Sequence, residues 1–109
     1  MCGLDYRVAF AEAAWESALE GTARLKRVVL GGKVFRLVEL TPATEHSNWC
    51  ETGHLGFIVE GEMEIEFDGE TIRLSAGDAL NIPPGVADRH RPRALTDRTL
   101  MFLIEDEDA

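Results

Sequence analysis

Cysteine is scarce: Cys2 and Cys50 are the only two in 109 residues, too few for a disulfide framework. In a reducing compartment Cys50 is then a buried small apolar group, a metal ligand or a reactive thiol, and Cys2 is assigned no role. No uninterrupted apolar stretch approaches the ~20 residues that a membrane-spanning helix requires. Basic residues are also few, eleven against twenty acidic ones, for a net charge of −9. A surface of that sign repels phosphate backbones and anionic lipid heads, which argues against nucleic acid and membrane partners. The first residues, Met1 to Asp5, hold neither the basic segment nor the apolar run of a secretion signal, so a cytoplasmic location is expected. Linkers and internal repeats are missing too, and a single soluble domain follows.

What the sequence does have is turn chemistry between short alternating runs. From Gly53 to Gly85 there is almost no spare loop. Phe57-Ile58-Val59 is an apolar run ended by Glu60-Gly61, after which Met63, Ile65 and Phe67 alternate with Glu62, Glu64 and Glu66. That period of two predicts a half-buried strand with the apolar set facing the core and the glutamates facing water. Asp68-Gly69 predicts a hairpin, because both residues tolerate positive φ. Ala76-Gly77-Asp78 marks another turn, and Pro83-Pro84-Gly85 stops the run Ala79 to Ile82 by removing ladder donors. Further upstream, Arg24 to Leu30 and Lys33 to Leu40 flank Gly31-Gly32, a second two-residue hairpin turn. Many short antiparallel strands mean an all-β sandwich or small barrel.

These residues resemble the cupins, small double-stranded β-helix (jelly-roll) barrels. Gly77, Pro83 and Gly85 fall on the second cupin motif, and the stretch His54 to Gly61 has the length and glycine of the first motif's end. The resemblance runs from roughly Asn48 to Pro92. Counting back from Gly61 and on from Gly85, it implies ligand positions at Asn48, Cys50, His54 and Asp88, none of which carries the usual residue type. His46 and His90 stand two residues from Asn48 and Asp88, on the same strand face if both segments are extended. The resulting candidate metal set is His46, Cys50, His54, Asp88 and His90. A thiolate with imidazoles favours zinc, iron or copper over calcium or magnesium, and zinc or iron is the expected ion. With Asn48 and Trp49 as pocket residues and Glu51 as a candidate acid or base, the resemblance implies a small polar substrate such as a sugar, organic acid or amino-acid derivative. The alternative is a metal-free, non-catalytic module that binds a small molecule against Trp49 or serves only as a structural dimer.

Residues 1–23 form an arm ahead of a barrel at 24–109. Ala9 to Glu20 is rich in helix formers and places Ala11, Trp15 and Leu19 on one face, while an irregular arm packing Phe10 and Trp15 on the barrel fits equally well. An aromatic-bearing arm and an exposed sheet edge predict a homodimer. The run Arg98 to Ile104 predicts a strand buried on both faces. Glu105 to Asp108 then reads as a solvated acidic tail. Arg89, Arg91, Arg93 and Arg98 either pair with surface acid or draw an anionic substrate to the barrel mouth.

Overall fold

A computed structural model describes residues 6–18, 21–44 and 48–107. Among these, nine strands carry the fold: β1 (Glu16–Ala18), β2 (Ala23–Leu30), β3 (Lys33–Leu40), β4 (His54–Glu60), β5 (Glu62–Phe67), β6 (Glu70–Ser75), β7 (Ala79–Ile82), β8 (His90–Ala94) and β9 (Thr99–Asp106). They form two facing antiparallel sheets, one ordered β1-β2-β3-β9-β4-β7 and the other β6-β5-β8. The barrel is therefore all-β and of jelly-roll type, as the alternation and turn spacing predict.

Local sequence explains the hairpins. Gly31 and Gly32 adopt φ of 61° and 78°, the left-handed pair that matches the strand twist, and β2 pairs with β3 from Leu30↔Lys33 outward. Asp68-Gly69 joins β5 to β6 with Phe67 opposite Glu70. On β5, Met63 and Ile65 are buried and Phe67 packs against the same core. Glu62, Glu64 and Glu66 point outward, where they meet Arg73, Arg93 and Arg91.

Two expectations are corrected. No helix spans residues 9 to 18: a 3-10 turn at Phe10–Glu12 leads into β1, which pairs with β2. So short a segment gains little from helix propensity alone, whereas the edge of β2 offers backbone partners. Barrel side chains receive the arm's aromatics, Phe10 edge-on to Phe102 and Trp15 under Arg24. The last strand, β9, is not buried on both faces either. It alternates, with Thr99, Met101, Leu103 and Glu105 buried and the residues between them only partly covered.

The core runs between the sheets through Leu40, Ile58, Met63, Ile65, Met101 and Leu103. Among the described residues, no helix is long and apolar enough to cross a membrane.

Candidate metal centre

β4 opens with His54 on its inward side, and antiparallel pairing of Leu55 with Ile104 sets His54 beside Glu105 of β9. His54 Nδ1 lies 2.6 Å from Glu105 Oε2, and Arg36 of β3 brings its Nε to 2.9 Å from Glu105 Oε1. Neither nitrogen is aligned for a directed hydrogen bond, and Arg36 holds Glu105 as an ion pair. Burial works to raise the Glu105 carboxyl, but the contacts with His54 and Arg36 outweigh it and hold its pKa below the ordinary carboxylate value. Glu105 sets the ring so that Nδ1 faces its carboxylate and Nε2 faces the cluster.

That nitrogen faces Cys50 Sγ at 3.9 Å. Cys50 sits outside the named strands but exchanges two backbone hydrogen bonds of 2.9 Å with His90 of β8, which sets the two residues directly opposite each other. The carbonyl of Asp88 lies 3.1 Å from His90 Nδ1. A carbonyl can only accept, so Nδ1 carries the proton and Nε2 is left bare. This Nε2 is buried without a partner. Desolvation lowers the His90 pKa, offset in part by the Asp88 carbonyl, and keeps the ring neutral and able to coordinate. The rings of His54 and His90 stand 5.0 Å apart at their centroids. One ligand atom from each of Cys50, His54 and His90 lies within 4.8 Å of the others.

Of the other residues expected at the site, Asp88 ends a 3-10 turn at Val86–Asp88 and contributes its carbonyl to His90, not its side chain to the cluster. β8 opens after this turn with His90, which pairs with Cys50 and is the residue that joins the cluster. Glu51 and Asn48 are exposed. Trp49 does not line the cavity; the guanidinium groups of Arg91 and Arg89 lie over its ring, 4.0 and 4.7 Å from the centroid. His46 lies outside the described residues. Arg89, Arg91, Arg93 and Arg98 pair with Asp68, Glu66, Glu64 and the Glu39/Glu60 pair, as the salt-bridge reading of that cluster had it.

Sequence reasoning missed Glu105, taken for the start of a solvated tail, and Arg36. The signal for Glu105 was parity, since Met101, Leu103 and Glu105 alternate on one face.

From the cluster a cavity of about 370 Å³ runs into the barrel. Around the cluster it is lined by Arg36, Cys50, Thr52, His54, His90 and Glu105, and elsewhere by Arg24 and the apolar side chains of both sheets. The donor set and the bare buried Nε2 of His90 fit a transition metal.

Comparisons with known proteins agree with this architecture. A cupin-2 domain containing protein from Shewanella frigidimarina is 26% identical over 75% of this chain and 78% of its own, with a TM-score of 0.62. KdgF from a Halomonas species is 26% identical over 88% of both chains, with a TM-score of 0.69. A sugar phosphate isomerase of the cupin superfamily from Silicibacter pomeroyi shares the fold at a TM-score of 0.75, with 16% identity over 92% of this chain and 74% of its own. No curated protein matches the chain by sequence. The family profile named Cupin domain matches residues 36–104, well over half the sequence, and the chain belongs to that family.

Proposed function

We propose that this cupin holds a transition metal, zinc or iron, through Cys50, His54 and His90, and binds a small molecule in the adjoining cavity. The observation that carries the reading is His90 Nε2, a buried acceptor with no partner that belongs to a cluster of two further ligand atoms; a bare buried acceptor of this kind is destabilising unless something occupies it. Three protein ligands among the described residues leave a four-coordinate ion one open position, the arrangement of reactive rather than closed structural sites. A metal bound there supplies Lewis acidity or an activated water. The chain's own groups do the rest. Glu105 orients His54 and is itself anchored by Arg36, the Asp88 carbonyl orients His90, and the apolar cavity keeps bulk water from the bound molecule.

Elemental analysis of protein purified without chelator tests this. About one zinc or iron per chain is expected, lost in Cys50→Ser and His54→Ala variants that keep the fold. Protein that carries no metal and gains none on titration with zinc or iron would leave a metal-free ligand pocket, the reading that the apolar cavity body supports independently.

We also infer a homodimer. Leu55, Phe57 and Val59 lie exposed along β4, an apolar row that a second copy would cover. Light scattering at the monomer mass at high concentration would remove this inference.

A further inference from the structure

We propose that the cavity takes a small monoanion with an apolar tail, chemically a short-chain monocarboxylate, and not a sugar or a phosphorylated compound. The head-group assignment rests on the metal reading above, whereas the tail assignment rests on the walls alone.

At about 370 Å³ the cavity stands near the small end of the roughly 300–1,000 Å³ typical of ligand sites. Apart from the residues around the cluster and Arg24, which Glu39 engages, the walls are apolar, with Leu25, Leu40, Ile82 and Met101 from one sheet and Met63 and Ile65 from the facing one. None of these apolar side chains offers a hydrogen bond. A sugar placed there would surrender the hydration of most of its hydroxyls without replacement, while an alkyl chain would gain by leaving water.

Charge limits the head group. Two cations line the cavity, and each is already matched: Arg24 by Glu39 at 2.9 Å and Arg36 by Glu105 at 2.9 Å. A divalent metal with the Cys50 thiolate and two neutral imidazoles carries one positive charge. A single carboxylate neutralises it, whereas a phosphate dianion over-compensates and finds no free cation among the described lining residues to take the excess. The head at Cys50–His54–His90 and the tail toward Met63 and Met101 follow from where the polar and apolar walls lie.

The test is calorimetric titration of the full, zinc-loaded chain with acetate, butyrate, hexanoate and octanoate, with hexanol, glucose and glucose 6-phosphate alongside. Affinity is expected to rise about fourfold per added methylene, the equivalent of ~0.8 kcal/mol, until the cavity is filled. Hexanoate should exceed hexanol on the zinc form and match it after chelation. In Ala18→Phe, which places a ring against the cavity lining, the rise should stop at a shorter chain. Methyl-labelled methionine spectra give a check independent of that variant's folding, because the Met63 and Met101 methyls, from facing sheets, should both shift on hexanoate binding. Affinity flat with chain length, tighter binding of either sugar, or shifts that spare both methionines would overturn the proposal. A protein that binds no zinc yet keeps the methylene increments would overturn the head group and the metal reading together and leave the tail standing.

Discussion

The two ends of the barrel bury polar groups in opposite ways. At the end where β4 turns into β5, Thr99 is fully buried and donates to the carbonyl of Glu62 at 2.9 Å, while Thr96 accepts from the Glu62 amide at 3.2 Å and donates to the carbonyl of Arg98 at 2.9 Å. Thr41 and Thr44 both donate to the carbonyl of Thr22, at 2.8 and 2.7 Å. At the other end His54 Nδ1 and Arg36 Nε meet Glu105 without aligned geometry, and His90 Nε2 is buried with no partner among the described residues. Satisfied polar groups lock a turn, whereas unsatisfied ones that converge mark a place built for something else. Burial of polar residues alone would not separate a closure from a site; their hydrogen-bond accounting does.

The closed end should be the less forgiving of the two. Gly61 has φ +87°, and a Cβ there would lie 2.3 Å from the carbonyl oxygen of Arg98 and 2.6 Å from Thr96 Oγ1. Gly61→Ala therefore combines backbone strain with a clash against main chain, and a loss of about 3–5 kcal/mol is expected in urea denaturation. A variant that unfolds like the parent would show that this end is not locked.

The open end should respond the other way. His90→Leu removes the bare Nε2 and fills its volume with methyl groups. We expect metal affinity to fall at least ~100-fold, about 2.7 kcal/mol, while in the metal-free protein the removal of a bare buried acceptor offsets the lost hydrogen bond to the Asp88 carbonyl and stability stays close to that of the parent. Thr99→Val at the other end removes one of the two donors to the Glu62 carbonyl, which keeps the Leu95 amide at 2.9 Å, and a cost of about 0.5–1.5 kcal/mol with metal affinity unchanged is expected. If His90→Leu destabilises the metal-free protein as Thr99→Val does, His90 belongs to the framework and the contrast fails.

Glu105→Gln comes next, because it acts on the metal through His54. It weakens the grip on His54 Nδ1 and leaves Arg36 without its counter-charge, and a ~10–100-fold loss in cobalt affinity is expected, with a shifted ligand-field spectrum. An unchanged spectrum would make Glu105 a partner of Arg36 only.

What could be read in advance follows from where the information lies along the chain. Hairpins at Gly31-Gly32 and Asp68-Gly69 and the facing of Met63 and Ile65 are local, fixed by turn conformation and period. Cys50 and His54 are also near in sequence to the glycine landmarks that place them. His90, not Asp88, joins the cluster, since β8 opens with it after the 3-10 turn at Val86–Asp88, and a shift of one or two residues leaves little trace in composition. Glu105 was hidden among acidic neighbours. Its partner His54 is brought beside it only by the pairing of β4 with β9, a non-local event that charge pattern does not report. The arm went to strand rather than helix for the same reason, since the edge of β2 supplies what Ala9 to Ala18 cannot find alone.

The smallest expected effect compares two carboxylates held by arginine. Glu105 is buried beside the cluster; Glu39 lies on the outer face of β3 near the closed end, gripped by Arg24 through bonds of 2.9 and 3.2 Å and by Arg98 at 2.6 Å. The hydrogen bond from Arg24 is the first cause that lowers the Glu39 pKa, followed by a partly opposing desolvation and then by Arg98. A carboxyl with a depressed folded-state pKa stabilises above its unfolded value and loses that contribution as pH falls through the folded one. Both arginines are more than one-third exposed, so water screens the pairs and the contribution is modest. Glu39→Gln should cost about 0.5–1 kcal/mol at pH 7. That difference should shrink as pH falls below the ordinary glutamate range and through the depressed folded-state value, where the parent protonates too, and metal affinity should stay that of the parent throughout. A gap that persists at low pH would mean that Glu39 acts through packing and not charge. An effect on metal binding would mean that the two ends of the barrel are coupled, against the separation that their hydrogen bonds indicate.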